Sequence, residues 1–277
     1  MCLKRLGLRA GRCSAAAFAL LLCVGCSAGA AEMIRVGGTS AALGTIQLLA
    51  NRFAQGNPDL KILAVADLAS DGGLKALGGG AIDLVVATRP LDAGEIKREM
   101  KQREFARTPF VFVVSAKSAV NAITRKDLAG IYSGTLAKWP DGSTIRPVLR
   151  PVGNRNNALV KRLSPQIEQA VSAAEKKPGM QVAITDQEAA DKVERVPGAI
   201  AAFSLSVILS ERRPLRALAL DGVEPTPANA AANAYPLYKS MFFVTAAKPP
   251  ESVERFIAFV LSPAGRRILA DNGHWVP

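Results

Sequence analysis

Beyond residue 26 this chain has no cysteine. Cys2, Cys13, Cys23 and Cys26 all fall in its opening segment. The remainder therefore carries no disulfide framework, no thiolate metal site and no thiol nucleophile. Histidine is scarcer still. His274, three residues from the end and beside Trp275, is the only one, and it reads as a C-terminal packing residue rather than a general base. Without a His/Cys/carboxylate cluster, neither a metal nor another cofactor is expected, and no motif supports a Ser–Lys hydrolase. Basic runs interleaved with aromatics are missing, as are reader motifs, so nucleic acid is not an expected partner. There is no internal repeat and no low-complexity linker. Only Ala228–Ala234 is compositionally odd, and it reads as a surface loop or a short helix.

What is present begins with a basic start, Lys4, Arg5, Arg9 and Arg12, followed by an apolar run from Ala15 to Val24 and small residues from Gly25 to Ala31. This is the pattern of a secretory signal peptide over residues 1–30, too short and too early for a spanning helix of the mature protein. Export to the periplasm or cell surface follows. Val24-Gly25-Cys26-Ser27 resembles a bacterial lipobox, which would anchor the protein at the membrane by a lipid on Cys26. The competing reading is cleavage after Ala30, at the small-x-small Ala28-Gly29-Ala30. Loss of residues 1–30 takes the formal net charge from +12 to +8, because that segment carries four positive charges and no negative ones. A basic surface draws anions by its long-range field.

The mature chain alternates short apolar strands with helical patterns. Strands are expected at Ile34–Val36, Lys61–Ala66, Asp83–Ala87, Phe110–Ser115, Ile145–Leu149, Ala199–Phe203, Leu215–Ala219 and Met241–Thr245. Between them, Ile46, Leu49, Ala50 and Phe53 share one helical face. Thr185-Asp186-Gln187-Glu188 has the form of a capping box. Ser262-Pro263 starts a last helix that stops at Asn272-Gly273. The alternation predicts an α/β fold with largely parallel sheets.

Four polar clusters follow strands. Gly37-Gly38-Thr39-Ser40 stands at the mouth of the first helix, where free backbone N–H groups, the helix dipole and two hydroxyls make an anion cradle. Its plainer reading is an N-cap at Ser40 with glycines shaping the turn. Ser70-Asp71-Gly72-Gly73, Thr88-Arg89-Pro90 and Arg150 to Asn156 are the other three. All sit where open α/β sheets bind ligands, at the carboxyl ends of strands. Lys239, in "KSMFF", stands near the second crossover; it has two readings, a residue lining the cleft and, by default, a solvated lysine.

The segment "DLAGIYSGTLAKW", Asp127 to Trp139, resembles the "lxxIFSGkixnW" signature of the phosphate-binding proteins of bacterial ABC transporters. "SDGGLKAL", "IDLVVATRPL", "VPGAIAAFSL" and "SPAGRRILADNGHWVP" resemble further landmarks of that family, in the same order and across nearly all of the mature chain. The resemblance implies a two-lobed type II periplasmic binding protein fold with two crossover strands. Lobe one would comprise residues 33–110 and 240–277, lobe two 111–239, with closure by hinge bending. It implies that a small inorganic oxyanion, phosphate first, is captured without catalysis for an ABC permease in the inner membrane by a monomer. Thr39, Ser40 and Ser70 match the family's donors in lobe one, and Arg150 its arginine in lobe two. Asp71, Gly72, Thr88, Arg89, Asn154, Arg155 and Asn156 complete the candidate ligand-binding set. Two departures bear on selectivity. Thr88 stands where phosphate-selective members place an aspartate, with Asp71 as a substitute acceptor. Asn154-Arg155-Asn156 replaces the family's Ser-Gly-Thr loop. The alternative is an exported interaction or sensory protein of the same fold that does not bind phosphate.

Overall fold

The computed structural model describes residues 31–66 and 68–277; the signal-peptide reading and Cys26 lie outside them. In chain order the strands are β1 (Glu32–Gly38), β2 (Leu60–Val65), β3 (Leu84–Ala87), β4 (Lys101–Ser115), β5 (Ala122–Ile123), β6 (Arg146–Leu149), β7 (Gln181–Val182), β8 (Ala199–Ser204), β9 (Leu215–Ala217), β10 (Ala219–Leu220) and β11 (Tyr238–Thr245). Nine of them form one sheet in the order β2-β1-β3-β11-β4-β8-β6-β7, with β9 also pairing onto β4; β5 and β10 pair separately. Strand alternates with helix along most of the chain, and the α/β class follows from that.

The sheet is parallel only on its two flanks. β1 runs parallel to β2 and β3, and β6 parallel to β7 and β8. In the middle β11 is antiparallel to β3 and β4, and β4 is antiparallel to β8 and β9. The expectation of largely parallel sheets therefore fails at the centre, because β4 and β11 run against the flanking βα units. β4 is also much longer than the apolar run Phe110–Ser115. Its first part, Lys101–Pro109, pairs with β11, and from Phe110 onward it pairs with β8 and then β9. The early half, Lys101-Gln102-Arg103-Glu104, carries no apolar signal in the sequence, and main-chain pairing does not need apolar side chains.

Burial changes over at the same point on β4. Phe105 and Ala106 pack with Ile34, Leu49, Phe53 and Phe243 in one core, and Phe105 stacks on Phe243 with centroids 3.8 Å apart. Phe110 to Val114 pack with Leu128, Ile167, Val171 and Phe203 in another. A smaller third cluster holds Leu74, Val85 and Val244. The predicted apolar face of the first helix (Leu43–Ala54) is buried as its spacing requires, at Ile46, Leu49, Ala50 and Phe53.

The sequence signatures have structural reasons. The helix Arg125–Ser133 starts at a capping box between Thr124 and Asp127 and ends at Gly134, whose φ of 88° is left-handed. Trp139 then donates its indole N–H to the Gly198 carbonyl at 3.0 Å. Gly198 itself has φ 74°, and a Cβ there would collide with the Thr144 carbonyl. Two signatures far apart in sequence thus clasp each other. The last helix, Pro263–Asp271, has Ser262 as N-cap and Gly273 in the left-handed region beyond its end. Arg107 and Trp275 exchange backbone hydrogen bonds at 2.8 and 2.9 Å, docking the C-terminus on β4. The Thr185–Glu188 capping box is only half made: Thr185 caps the Glu188 N–H, but the Glu188 carboxylate takes the N–H of Ile184. The odd stretch after Thr226 forms a short helix, Pro227–Ala231. Among the described residues no helix is long and apolar enough to cross a membrane.

Candidate functional site

Strand ends and helix starts converge on a cleft of about 540 Å³. Thr39 and Ser40 follow β1, Thr88 follows β3, and Arg150 follows β6, each at the carboxyl end of a parallel strand. Ser70 comes from the first turn of the helix Ala69–Gly78, and Asn154, Arg155 and Asn156 from the start of the helix Arg155–Lys161. All of these line the cleft, with Asp71, Asp186 and Lys239.

The hydroxyls are fixed by backbone contacts. Thr39, not Ser40, is the capping residue, accepting from the Ala41 N–H at 3.3 Å. The Ser40 hydroxyl instead accepts from the Asp186 N–H at 3.1 Å. The Ser70 hydroxyl accepts from the Thr88 N–H at 3.1 Å and lies 3.3 Å from the Thr88 hydroxyl. A serine oxygen that accepts a backbone proton keeps its own proton to donate.

On the cleft's inner wall sits a buried charge cluster. Arg150 is 5% exposed; its Nη2 donates to Asp186 Oδ1, and its Nη1 donates to the Ala183 carbonyl at 3.1 Å. Asn156 donates to the same Oδ1 at 3.1 Å. The Lys239 ammonium stands 3.6 Å from Asp186 Oδ2 and 4.9 Å from the centroid of the Phe110 ring. Burial pushes the Asp186 carboxyl up, but Lys239 and Arg150 outweigh it and hold the group below the ordinary carboxylate range. Burial draws the Lys239 ammonium down from its ordinary value; Asp186 opposes this and Arg150 adds to it. Two polar atoms of the cluster are buried without a hydrogen bond, the donor Arg150 Nε and the acceptor Asp186 Oδ2.

Three of the expected ligand residues are placed differently from the rest. Arg89 is engaged elsewhere: Nη1 and Nη2 each donate to Glu95 at 2.6 Å, and Nε donates to Asp71 at 2.7 Å. This network raises the Arg89 guanidinium further and holds Glu95 down at about 2. Asp71 reaches the cleft edge, but its side chain is 70% exposed and bonded to Arg89, so it is no buried acceptor. Gly72 does not line the cleft, and a Cβ there would meet Leu68 in ordinary contact. Of the other glycines in these motifs, Gly38 has φ 126° under the Val86 carbonyl and Gly73 packs on Gly38. They serve turn and packing rather than ligand approach.

Two residues with a place in the site were not among the candidates. Lys239 is not solvated: it is 7% exposed. Asp186 was accounted for locally as part of a cap. The only hint lay in their positions, a lysine inside an apolar strand and an acid at a helix start.

Hydroxyls, amides and two buried cations line a cleft set across the strands that join two cores, the arrangement of a two-lobed binding-protein fold. The chain belongs to the PBP superfamily: the family model described as "PBP superfamily domain" matches residues 26–264. It is 23% identical over 250 residues to the phosphate-binding protein PstS of Borreliella burgdorferi, covering 87% of this chain and 89% of that one. A substrate-binding protein from Clostridium perfringens, solved with bound phosphate, superposes with a TM-score of 0.73 at 22% identity, covering 89% of this chain and all of the other. An ABC-type phosphate transport receptor from Vibrio cholerae gives 0.60 at 19% identity, covering 89% and 100%. These likenesses establish the shared fold.

Proposed function

We propose that this chain is an exported, non-catalytic solute-binding protein that captures a small inorganic oxyanion, phosphate first, and delivers it to an ABC permease. The carrying observation is the buried group of Arg150, Lys239 and Asp186, positive by one charge, inside a cleft ringed by the hydroxyls of Thr39, Ser40, Ser70 and Thr88. The group's net positive charge and the idle N–H of Arg150 favour a charged acceptor, and oxyanions take charge-assisted bonds from arginine. The relatives include a phosphate-binding protein and a phosphate transport receptor, which favours phosphate among oxyanions. Residues 33–110 with 240–277 form one lobe and 111–239 the other; the change of pairing partner and of core at Pro109–Phe110 of β4 supports that division. The protein works as a monomer in the periplasm or at the cell envelope, held there by a lipid where Cys26 is modified.

The test is thermal melting of the mature protein with phosphate, arsenate, sulfate and molybdate at fixed ionic strength. Ligand at 100 times its dissociation constant adds about 2.7 kcal/mol, which for a chain of this size is a rise of about 5–10 °C. Phosphate is expected to give that rise. The absence of a shift with every anion would sink this reading and leave the non-binding interaction protein.

A further inference from the structure

Beside the Arg150–Asp186 pair the cleft holds a second buried cation, Lys239. We propose that Lys239 is a specificity-determining residue, a second cation that reads the charge of the bound oxyanion and favours dianions over monoanions. The inference rests on the oxyanion-binding reading of the same cleft.

Lys239 is carried on β11, opposite Thr108 of β4, and so stands at the join between the two cores rather than on a ligand loop. Its side chain is buried, and the residue lines the cleft. At 3.6 Å it is within ion-pair range of Asp186 Oδ2 but beyond a hydrogen bond, and Oδ2 is left without one. Asp186 gives its other oxygen to Arg150 and Asn156. One carboxylate thus faces two cations, and the surplus positive charge sits next to the unpartnered Arg150 Nε. That surplus already counts Lys239, whose ammonium otherwise holds a cation–π contact with Phe110 and the ion pair with Asp186. Its attraction for a bound oxyanion scales with the ligand's charge, so a dianion draws about twice as much from Lys239 as a monoanion does. In a buried setting the second charge acts at short range through few intervening waters, so it is felt more strongly than at the surface. The charged groups that act on Lys239 are Asp186, whose carboxyl is held below its ordinary range, and Arg150.

The experiment measures phosphate affinity by calorimetry in the wild type, Lys239→Met and Lys239→Arg, at about pH 5 and about pH 7.5, on either side of the second ionisation of a phosphate group. Wild type is expected to bind more tightly at the higher pH. Lys239→Met, which keeps the buried stem, is expected to lose about 10- to 100-fold at the higher pH and much less at the lower. Lys239→Arg restores the difference. An equal loss at both pH values, or no loss, overturns the role of Lys239 while leaving oxyanion capture intact. Failure of the wild type to bind phosphate at either pH would instead overturn the functional reading itself.

Discussion

Replacing Arg150 with methionine tests both the site and the account of its stability. The guanidinium makes a buried ion pair with Asp186 and a hydrogen bond to the Ala183 carbonyl. Methionine keeps much of the apolar stem and removes both. Breaking one partner of a buried pair costs about 3–5 kcal/mol, because the remaining charge is stranded. Here Lys239 still faces Asp186 at 3.6 Å and Asn156 still donates to it, which places the effect at the lower end, about 3 kcal/mol. The ligand-free protein should therefore melt about 6–12 °C lower. Stability and binding must be separated, and the second substitution does so. In Arg150→Met/Asp186→Asn no carboxylate is stranded, so the double variant should regain at least about 1 kcal/mol over the sum of the singles, as coupled neighbours do. Neither variant should gain stability from phosphate. The assay is urea unfolding for the apo forms and melting with phosphate for binding. Additive single effects would refute the coupling of the pair, and a wild-type phosphate shift in the double variant would remove Arg150 from the ligand.

Two further outcomes follow from groups outside that pair. Burial depresses the His274 ring to about 3, with Nε2 3.0 Å from the Thr45 hydroxyl. The unfolded chain binds a proton near pH 6.5 that the folded one refuses, so stability is full above about 6.5 and falls by up to about 1.4 kcal/mol per pH unit toward pH 3. His274→Gln should show a shallower acid limb in urea unfolding, and parallel limbs would refute the neutral buried ring. Arg89→Met should cost about 1–2 kcal/mol in unfolding, through the loss of its bonds to Glu95 and Asp71. Its phosphate shift should stay at the wild-type value, and loss of the shift would return Arg89 to the ligand shell.

The fold was readable where local chemistry and position coincide. The strands of the flanks are short, apolar and bounded by turn residues, and the helices announce themselves by caps such as Thr124–Asp127 and Ser262–Pro263. The donor loops were readable for the same reason, since each lies just past a strand. What could not be read was who is paired with whom across the sheet. Lys239 lies within an apolar strand, and nothing near it in sequence says that a carboxylate 53 residues earlier will face it. Asp186 was explained by its helix start, so no residue signal remained to mark it. Arg89 follows a strand as a ligand arginine would, yet Glu95, in the capping box Asp92–Glu95, was six residues ahead to claim it. Local signals place side chains on elements; the charge balance of a buried site is set by contacts the sequence separates.

That separation also explains how the site is made ready. The Ser40 hydroxyl accepts from the first N–H of the helix Asp186–Arg195, the Gln187 amide donates to the Ser40 carbonyl at 3.0 Å, and Ser206 donates to the Ala41 carbonyl at 2.8 Å. The loop after β1 is thereby fastened to the helices that carry and follow Asp186. Ser70 is fastened likewise to the Thr88 backbone across β3. With oxygens fixed as acceptors of backbone protons, these serines have one proton each left to give and little freedom in where to aim it. Ordering donors costs entropy wherever it occurs. Here most of it is spent when the chain folds, and an arriving anion meets hydroxyls already held in place beside a buried guanidinium.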